Sequence, residues 1–168
     1  MVLWDRNKTV HNGLPQSTEI VGEKSLGKHY IGTGAVIRDH EGVVVVACSK
    51  RMVGEFEPEE AEAEAVALRE GLLFAKNNGF KFAVAECDAL RVIQCLHSKF
   101  SLTSYAAILY DIAALLEEVK CGPCCVIPRA GNQVAHRLAS FAMSESVVSN
   151  WLDRIPIFLS HLVHADIN

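Results

Sequence analysis

Tyr30-Ile31-Gly32-Thr33-Gly34-Ala35-Val36-Ile37-Arg38-Asp39-His40-Glu41-Gly42-Val43-Val44-Val45-Val46-Ala47-Cys48 is the stretch whose reading decides the fold. An apolar, β-tolerant run from Tyr30 to Asp39 meets the turn Asp39-His40-Glu41-Gly42, and an almost purely β-branched run from Val43 to Cys48 follows. That pattern reads as an antiparallel hairpin. Val43 to Val46 lacks polar–apolar alternation, so both faces of the second strand are expected to be covered.

Downstream, the punctuation is helical. Pro58 suits a first turn, Glu57, Glu59 and Glu60 suit the positive end of a helix, and Gly79 marks a stop. Ala61, Ala65, Leu68, Leu72 and Ala75 line one stripe at helical spacing. Phe82 to Cys87 then reads as a strand, and Asp88 opens a helix carrying Leu90, Val92, Ile93 and Leu96. Tyr105 to Val119 reads as a third helix, Cys124 to Ile127 as a strand, and Asn132 to about Met143 as a fourth helix. Upstream, residues 1–28 show no usable periodicity; Asn12-Gly13 and Pro15 read as turns, and Thr18 to Val21 is at most one short strand. Strands alternating with helices after a hairpin predict an α/β fold, a mixed sheet with helices on its faces. Ligands of such sheets sit beyond the carboxyl ends of the parallel strands, where Asp88 lies.

Composition narrows the class. A chain of 168 residues, half of them hydrophobic and with a net charge of -4, suits one packed domain and excludes a disordered chain. No apolar run approaches the ~18 residues of a membrane span, and Met1-Val2-Leu3-Trp4-Asp5-Arg6 turns polar too soon for a signal peptide. The six cysteines lie mainly in or beside apolar stretches, which fits a reducing compartment and an intracellular, nuclear or cytoplasmic chain without a membrane partner. A pI near 6.0 gives no global attraction to nucleic acid, so any such binding rests on a local patch.

Several residues carry possible chemistry. Glu64 projects about 40° from Leu68 at ~100° per residue, inside the apolar stripe, where a carboxylate is costly unless paired or bound to a metal. Its plain alternative is a glutamate at the stripe edge whose head reaches water. Asp88 reads either as an ordinary N-cap or as one of two carboxylates converging on a hard divalent cation. His136, among Val134, Ala135 and Leu138, reads by default as a half-buried helix histidine. Cys121-Gly122-Pro123-Cys124 copies a redox dithiol motif, but it follows a helix and precedes a strand, so Gly122-Pro123 reads as a turn. His161 and His164 have metal-like spacing without further ligands nearby, which favours a docking segment.

Four stretches together resemble a known family. They are Gly34 to Gly42, then Ala63-Glu64-Ala65-Val66-Ala67-Leu68-Arg69-Glu70-Gly71-Leu72, then Glu86-Cys87-Asp88-Ala89-Leu90-Arg91-Val92-Ile93, and finally Pro128-Arg129-Ala130-Gly131-Asn132-Gln133-Val134-Ala135-His136-Arg137-Leu138-Ala139. In order and spacing they resemble the plant ribonuclease H-like domain common in retroelement-derived proteins, and Trp151 to Pro156 resembles the segment that follows it. The resemblance implies a five-stranded mixed sheet of ribonuclease H type over 29–145, after a divergent segment 1–28 and before a tail 146–168. It implies Mg²⁺- or Mn²⁺-dependent cleavage of the RNA strand of an RNA–DNA hybrid, by a monomer whose partner is the hybrid or RNA. By motif, Glu64 and Asp88 match metal-binding catalytic positions and His136 a fourth catalytic position. Arg129, Asn132 and Arg137 lie around the start of the last helix, where amides and cations meet phosphate.

The chain departs from the family at the first position. Family members place an Asp about 14 residues before Ala35, in the first strand of a hairpin of ordinary loop length. Counting back lands on Val21, within Glu19-Ile20-Val21-Gly22-Glu23, where no Asp stands. Asp5 serves only with a long insertion, and Glu19 or Glu23 only with altered geometry. Three readings follow: an impaired ribonuclease H, a nucleic-acid-binding or structural module without hydrolysis, and, remotely, a dithiol redox protein through Cys121 and Cys124.

Overall fold

The structure is a computed structural model; it describes residues 2–4, 13–14, 29–54, 60–98, 103–145, 148–152 and 155–165. Two short strands come first, β1 (Val2–Trp4) and β2 (Gly13–Leu14). The expected hairpin follows as β3 (His29–Arg38) and β4 (Val44–Gly54), in register through Ala35↔Cys48 and Val36↔Ala47. Its turn is set by Asp39, whose carboxylate accepts from the backbone N–H groups of Glu41 at 3.0 Å and Val43 at 2.9 Å. The chain then runs through α1 (Glu60–Asn77), β5 (Ala85–Cys87), α2 (Leu90–His97), α3 (Ala106–Glu118) and β6 (Cys124–Val126). A 3-10 turn (Arg129–Asn132) leads into α4 (Gln133–Glu145), then β7 (Ser149–Leu152), a second 3-10 turn (Ile157–Leu159) and α5 (Ser160–Ala165).

The sheet is mixed, as its alternation with helices predicts, but it has seven strands where five were expected. β5 runs parallel to β6 and β2 and antiparallel to β1; β1 lies parallel to β3, and β3, β4 and β7 are antiparallel neighbours. The extra strands come from the two ends of the chain. β1 and β2 come from the region without usable periodicity, since three- and two-residue strands are too short to show one, and Gly13, read as part of a turn, opens β2. β7 comes from the tail and closes the β4 edge, so the tail completes the same sheet.

Helices cover both faces. Ala65, Leu68, Leu72 and Ala75 of α1 are each 0% exposed and pack with Val92, Ile112, Ala35 and Cys87 on one face. On the other, Val134 and Leu138 of α4 pack with Val36, Ala47 and Leu159. Val44 and Val46 are buried and Val45 half-buried, which accounts for the missing alternation. α4 lies very close to β3: a Cβ on Gly32 would stand 2.2 Å from the Ala139 carbonyl oxygen, and one on Gly34 2.4 Å from that of Ala135. Only residues without side chains tolerate that approach.

Several boundaries differ from expectation: β4 runs on to Gly54, and two of the others adjoin the site. The strand expected from Phe82 begins at Ala85, because Phe82, 2% exposed, is used as a core side chain ahead of the ladder. The second helix begins at Leu90 with Ala89 at its N-cap and no side-chain cap, so Asp88 does not perform the capping that its position suggested.

Candidate functional site

Asp88 follows the last residue of β5 directly, where the strand ladder stops and the chain turns into α2. Its carboxylate is buried at 6% exposure, and Oδ1 accepts a hydrogen bond from Asn132 Nδ2 at 2.6 Å. The backbone carbonyl, and not the carboxylate, receives the N–H of Leu90. Burial raises the Asp88 pKa above its usual 3.8, opposed by the Asn132 hydrogen bond and, more weakly, by the Arg129 guanidinium. Asp88 Oδ2 and Asn132 Oδ1 are both buried without a donor. Two buried acceptors facing no proton cost about 1–3 kcal/mol each, so the pair is electrostatically unfinished.

Glu64 lies on α1, half-buried, as its place at the edge of the apolar stripe implies. Burial pushes the neighbouring Cys87 thiol up to about 12, and the negative charges of Asp88 and Glu64 add to the rise. The charges of both carboxylates are thus felt at one residue, at the carboxyl end of β5. His136 is half-buried on α4. Among the described residues, no three His, Cys, Asp or Glu side chains converge to hold a metal ion, so His136 does not complete a three-ligand set with Glu64 and Asp88. The first-strand candidates Asp5, Glu19, Val21 and Glu23 lie outside the described residues. Of the described N-terminal strands, Val2–Trp4 pairs with both β3 and β5 and Gly13–Leu14 pairs with β5, and neither contains a carboxylate.

The expected phosphate patch divides in two. Arg129 and Arg137 are exposed, and the Arg129 charge acts on Asp88. Asn132 corrects the expectation: at 1% exposure it has no surface to offer a phosphate, and its amide is committed to Asp88. The sequence holds a trace of this, for Asn132 precedes the buried Ala135 and Ala139 by three and seven residues, one helical stripe.

The dithiol motif fails on chemistry. Cys121 lies in the loop before β6, where burial pushes its thiol up to about 12, and burial raises Cys124 well above 9.0. A redox dithiol needs the opposite shift, supplied by a helix N-terminus. Gly122 lies against the backbone ahead of β5: its N–H donates to the Ala83 carbonyl at 2.8 Å, and a Cβ there would stand 2.1 Å from that oxygen. His161 is exposed on α5, which docks through Val163 beside the buried Leu159 of the preceding 3-10 turn; the His164 side chain is outside the described residues.

Comparison with known proteins agrees with this architecture. Residues 22–142 match the model of the reverse transcriptase-like family. No curated protein matches the chain in sequence. Ribonuclease H1 from the halophilic archaeon Halobacterium salinarum superposes with a TM-score of 0.65 at 20% identity, covering 81% of this chain and 98% of that one. A compost-derived ribonuclease H1, solved with an RNA/DNA hybrid, gives 0.63 at 19% identity over 80% and 96%. The foamy viral protease-reverse transcriptase, solved with double-stranded DNA, gives 0.60 at 18% over 81% and 94%. The chain belongs to the reverse transcriptase-like family and carries a fold of ribonuclease H type.

Proposed function

We propose that the chain is a nucleic-acid-binding domain of ribonuclease H type, with an RNA–DNA hybrid or RNA as its partner and with impaired cleavage of the RNA strand. The observation that supports the reading is the buried Asp88 carboxylate at the end of β5, with one oxygen unpartnered, while the charges of Asp88 and of Glu64 on α1 both act on the adjacent Cys87. The fold likeness and the relatives solved with a hybrid and with DNA support the choice of partner.

A divalent cation fits the site in one respect: Asp88 Oδ2 is a buried anionic oxygen with no partner. Asp88 and Glu64 would hold Mg²⁺ or Mn²⁺, which supplies an activated water and neutralises charge developing on phosphate. Arg129, whose charge acts on Asp88, and Arg137, eight residues further on α4, are the exposed cations proposed to take flanking phosphates. His136 stands on the same helix for proton transfer. Two carboxylates hold Mg²⁺ loosely, because the ion dehydrates reluctantly and needs well-placed oxygens.

Hybrid binding measured by fluorescence anisotropy, beside a cleavage assay with Mg²⁺, tests the reading. Two phosphate contacts predict about a tenfold loss of affinity between roughly 50 and 200 mM salt. Removing Arg129 or Arg137 should reduce the salt slope by about one each. Affinity indifferent to salt and to both arginines overturns the binding role; cleavage at ordinary ribonuclease H rates overturns the impairment. A second reading, a module with no hydrolysis at all, is favoured by the absence of a third ligand among the described residues, and complete absence of cleavage under Mn²⁺ selects it. The plant and retroelement origin is proposed on the sequence resemblance alone.

A further inference from the structure

We infer that Asn132 is a positioning residue: its hydrogen bond to Asp88 Oδ1 fixes the carboxylate so that Oδ2 is the oxygen left for a divalent cation. The inference rests on the reading of Asp88 as a cation ligand. Asn132 ends the 3-10 turn that precedes α4, 44 residues from Asp88 in sequence, and is almost wholly enclosed. A buried amide is expensive unless its groups are paired. Here Nδ2 is paired at 2.6 Å, a short charge-assisted distance, while Oδ1 is left without a donor. The orientation is fixed by chemistry, since a flipped amide would set its carbonyl oxygen against a carboxylate oxygen.

The consequence is asymmetric. A free carboxylate rotates and offers either oxygen, whereas this one has Oδ1 engaged by a donor and Oδ2 buried and unengaged. Both leftover acceptors, Asp88 Oδ2 and Asn132 Oδ1, are of the hard-oxygen type that a divalent cation and its waters satisfy. A phosphate contact by Asn132 would require the exposure it lacks. Partners that orient a ligating carboxylate are typically worth about 10–100-fold in metal affinity.

The test is Mn²⁺ titration of the whole chain by calorimetry, with the metal-free melting temperature measured in parallel. Asn132→Leu keeps the shape and removes the donor, and Asn132→Ala removes both. Each should weaken Mn²⁺ binding by about tenfold or more in a chain that still melts cooperatively. A lowered melting temperature with an unchanged Mn²⁺ dissociation constant would show a purely structural residue and overturn the inference. If neither variant folds, the wild-type chain decides: Mg²⁺ should shift the side-chain amide resonances of Asn132, and unshifted resonances at saturation overturn it. Failure to bind Mn²⁺ at all also overturns it, but leaves the nucleic-acid reading to the hybrid-affinity measurement, which needs no metal.

Discussion

A Cβ added to Gly34 on β3 would stand 2.4 Å from the carbonyl oxygen of Ala135 on α4. The contact sets how closely α4 approaches the sheet, and the turn that opens α4 carries Asn132 to Asp88. Gly34→Ala must push the helix outward, because a backbone carbonyl cannot rotate aside as a side chain can. The expected cost is about 1–3 kcal/mol of stability, as for other overpacked cores, read as a lowered midpoint in urea. Hybrid affinity should fall with it. An unchanged midpoint would mean that the helix is less tightly seated than this distance requires.

Asp88 predicts an opposite effect on stability. Burial raises its pKa above 3.8, so the folded chain holds the proton more tightly than the unfolded chain does. Well below 3.8 both states are protonated and the group costs nothing. As pH rises through 3.8 towards the higher folded value, the unfolded chain releases its proton first and stability falls. Asp88→Asn removes that penalty and gives a donor to a site with two unmatched acceptors. Without metal, the variant should be the more stable chain at pH ~7, with the gain shrinking towards pH ~3. Denaturation at both values checks this, and a destabilised variant at neutral pH would contradict it.

What could be read from the sequence follows from where each signal is stored. The β3–β4 hairpin, α1 and α3 were legible because Asp39 fixes the turn locally and because each helix prints a stripe of buried residues. β1, β2 and β7 were not, since their strand state is imposed by β3, β5 and β4 and not by their own residues. Glu64 and Asp88 were legible as carboxylates in unexpected places. Asp88 was nevertheless open to a capping reading, because the partner that decides its role, Asn132, is 44 residues away. No local pattern connects the two.

Two of the cysteines, Cys87 and Cys121, should be slow toward thiol reagents. With Cys121 and Cys87 pushed up to about 12 by burial, their thiolate populations at a given pH below 9 are about a thousandfold smaller than that of an ordinary thiol. Iodoacetamide labelling near pH ~8, followed by mass spectrometry, should therefore be slower at both sites in the folded chain than in urea by about that factor. Disulfide-reductase activity should be absent. Labelling of Cys121 at the unfolded rate would reopen the dithiol reading.

Among the described residues no third carboxylate joins Glu64 and Asp88 in a three-ligand group, and supplying one should strengthen cation binding. Leu14 on β2 is the Cα partner of Cys87 on β5, in parallel register, and Cys87 is the residue that feels both Asp88 and Glu64. Position 14 is thus the register position of β2 beside the end of β5, and Leu14→Asp tests whether a carboxylate placed there joins the other two. If it does, the added negative charge should lower the melting temperature without metal. With Mn²⁺ present, three hard oxygen donors replace two, and the stabilisation by the ion should exceed that of the wild-type chain. Hybrid cleavage should rise with it, and Glu64→Gln in the same background should remove the gain. Thermal melts with and without Mn²⁺ separate the outcomes. A variant that is destabilised equally in both would show that position 14 does not stand beside the two carboxylates, and that the impairment has another cause.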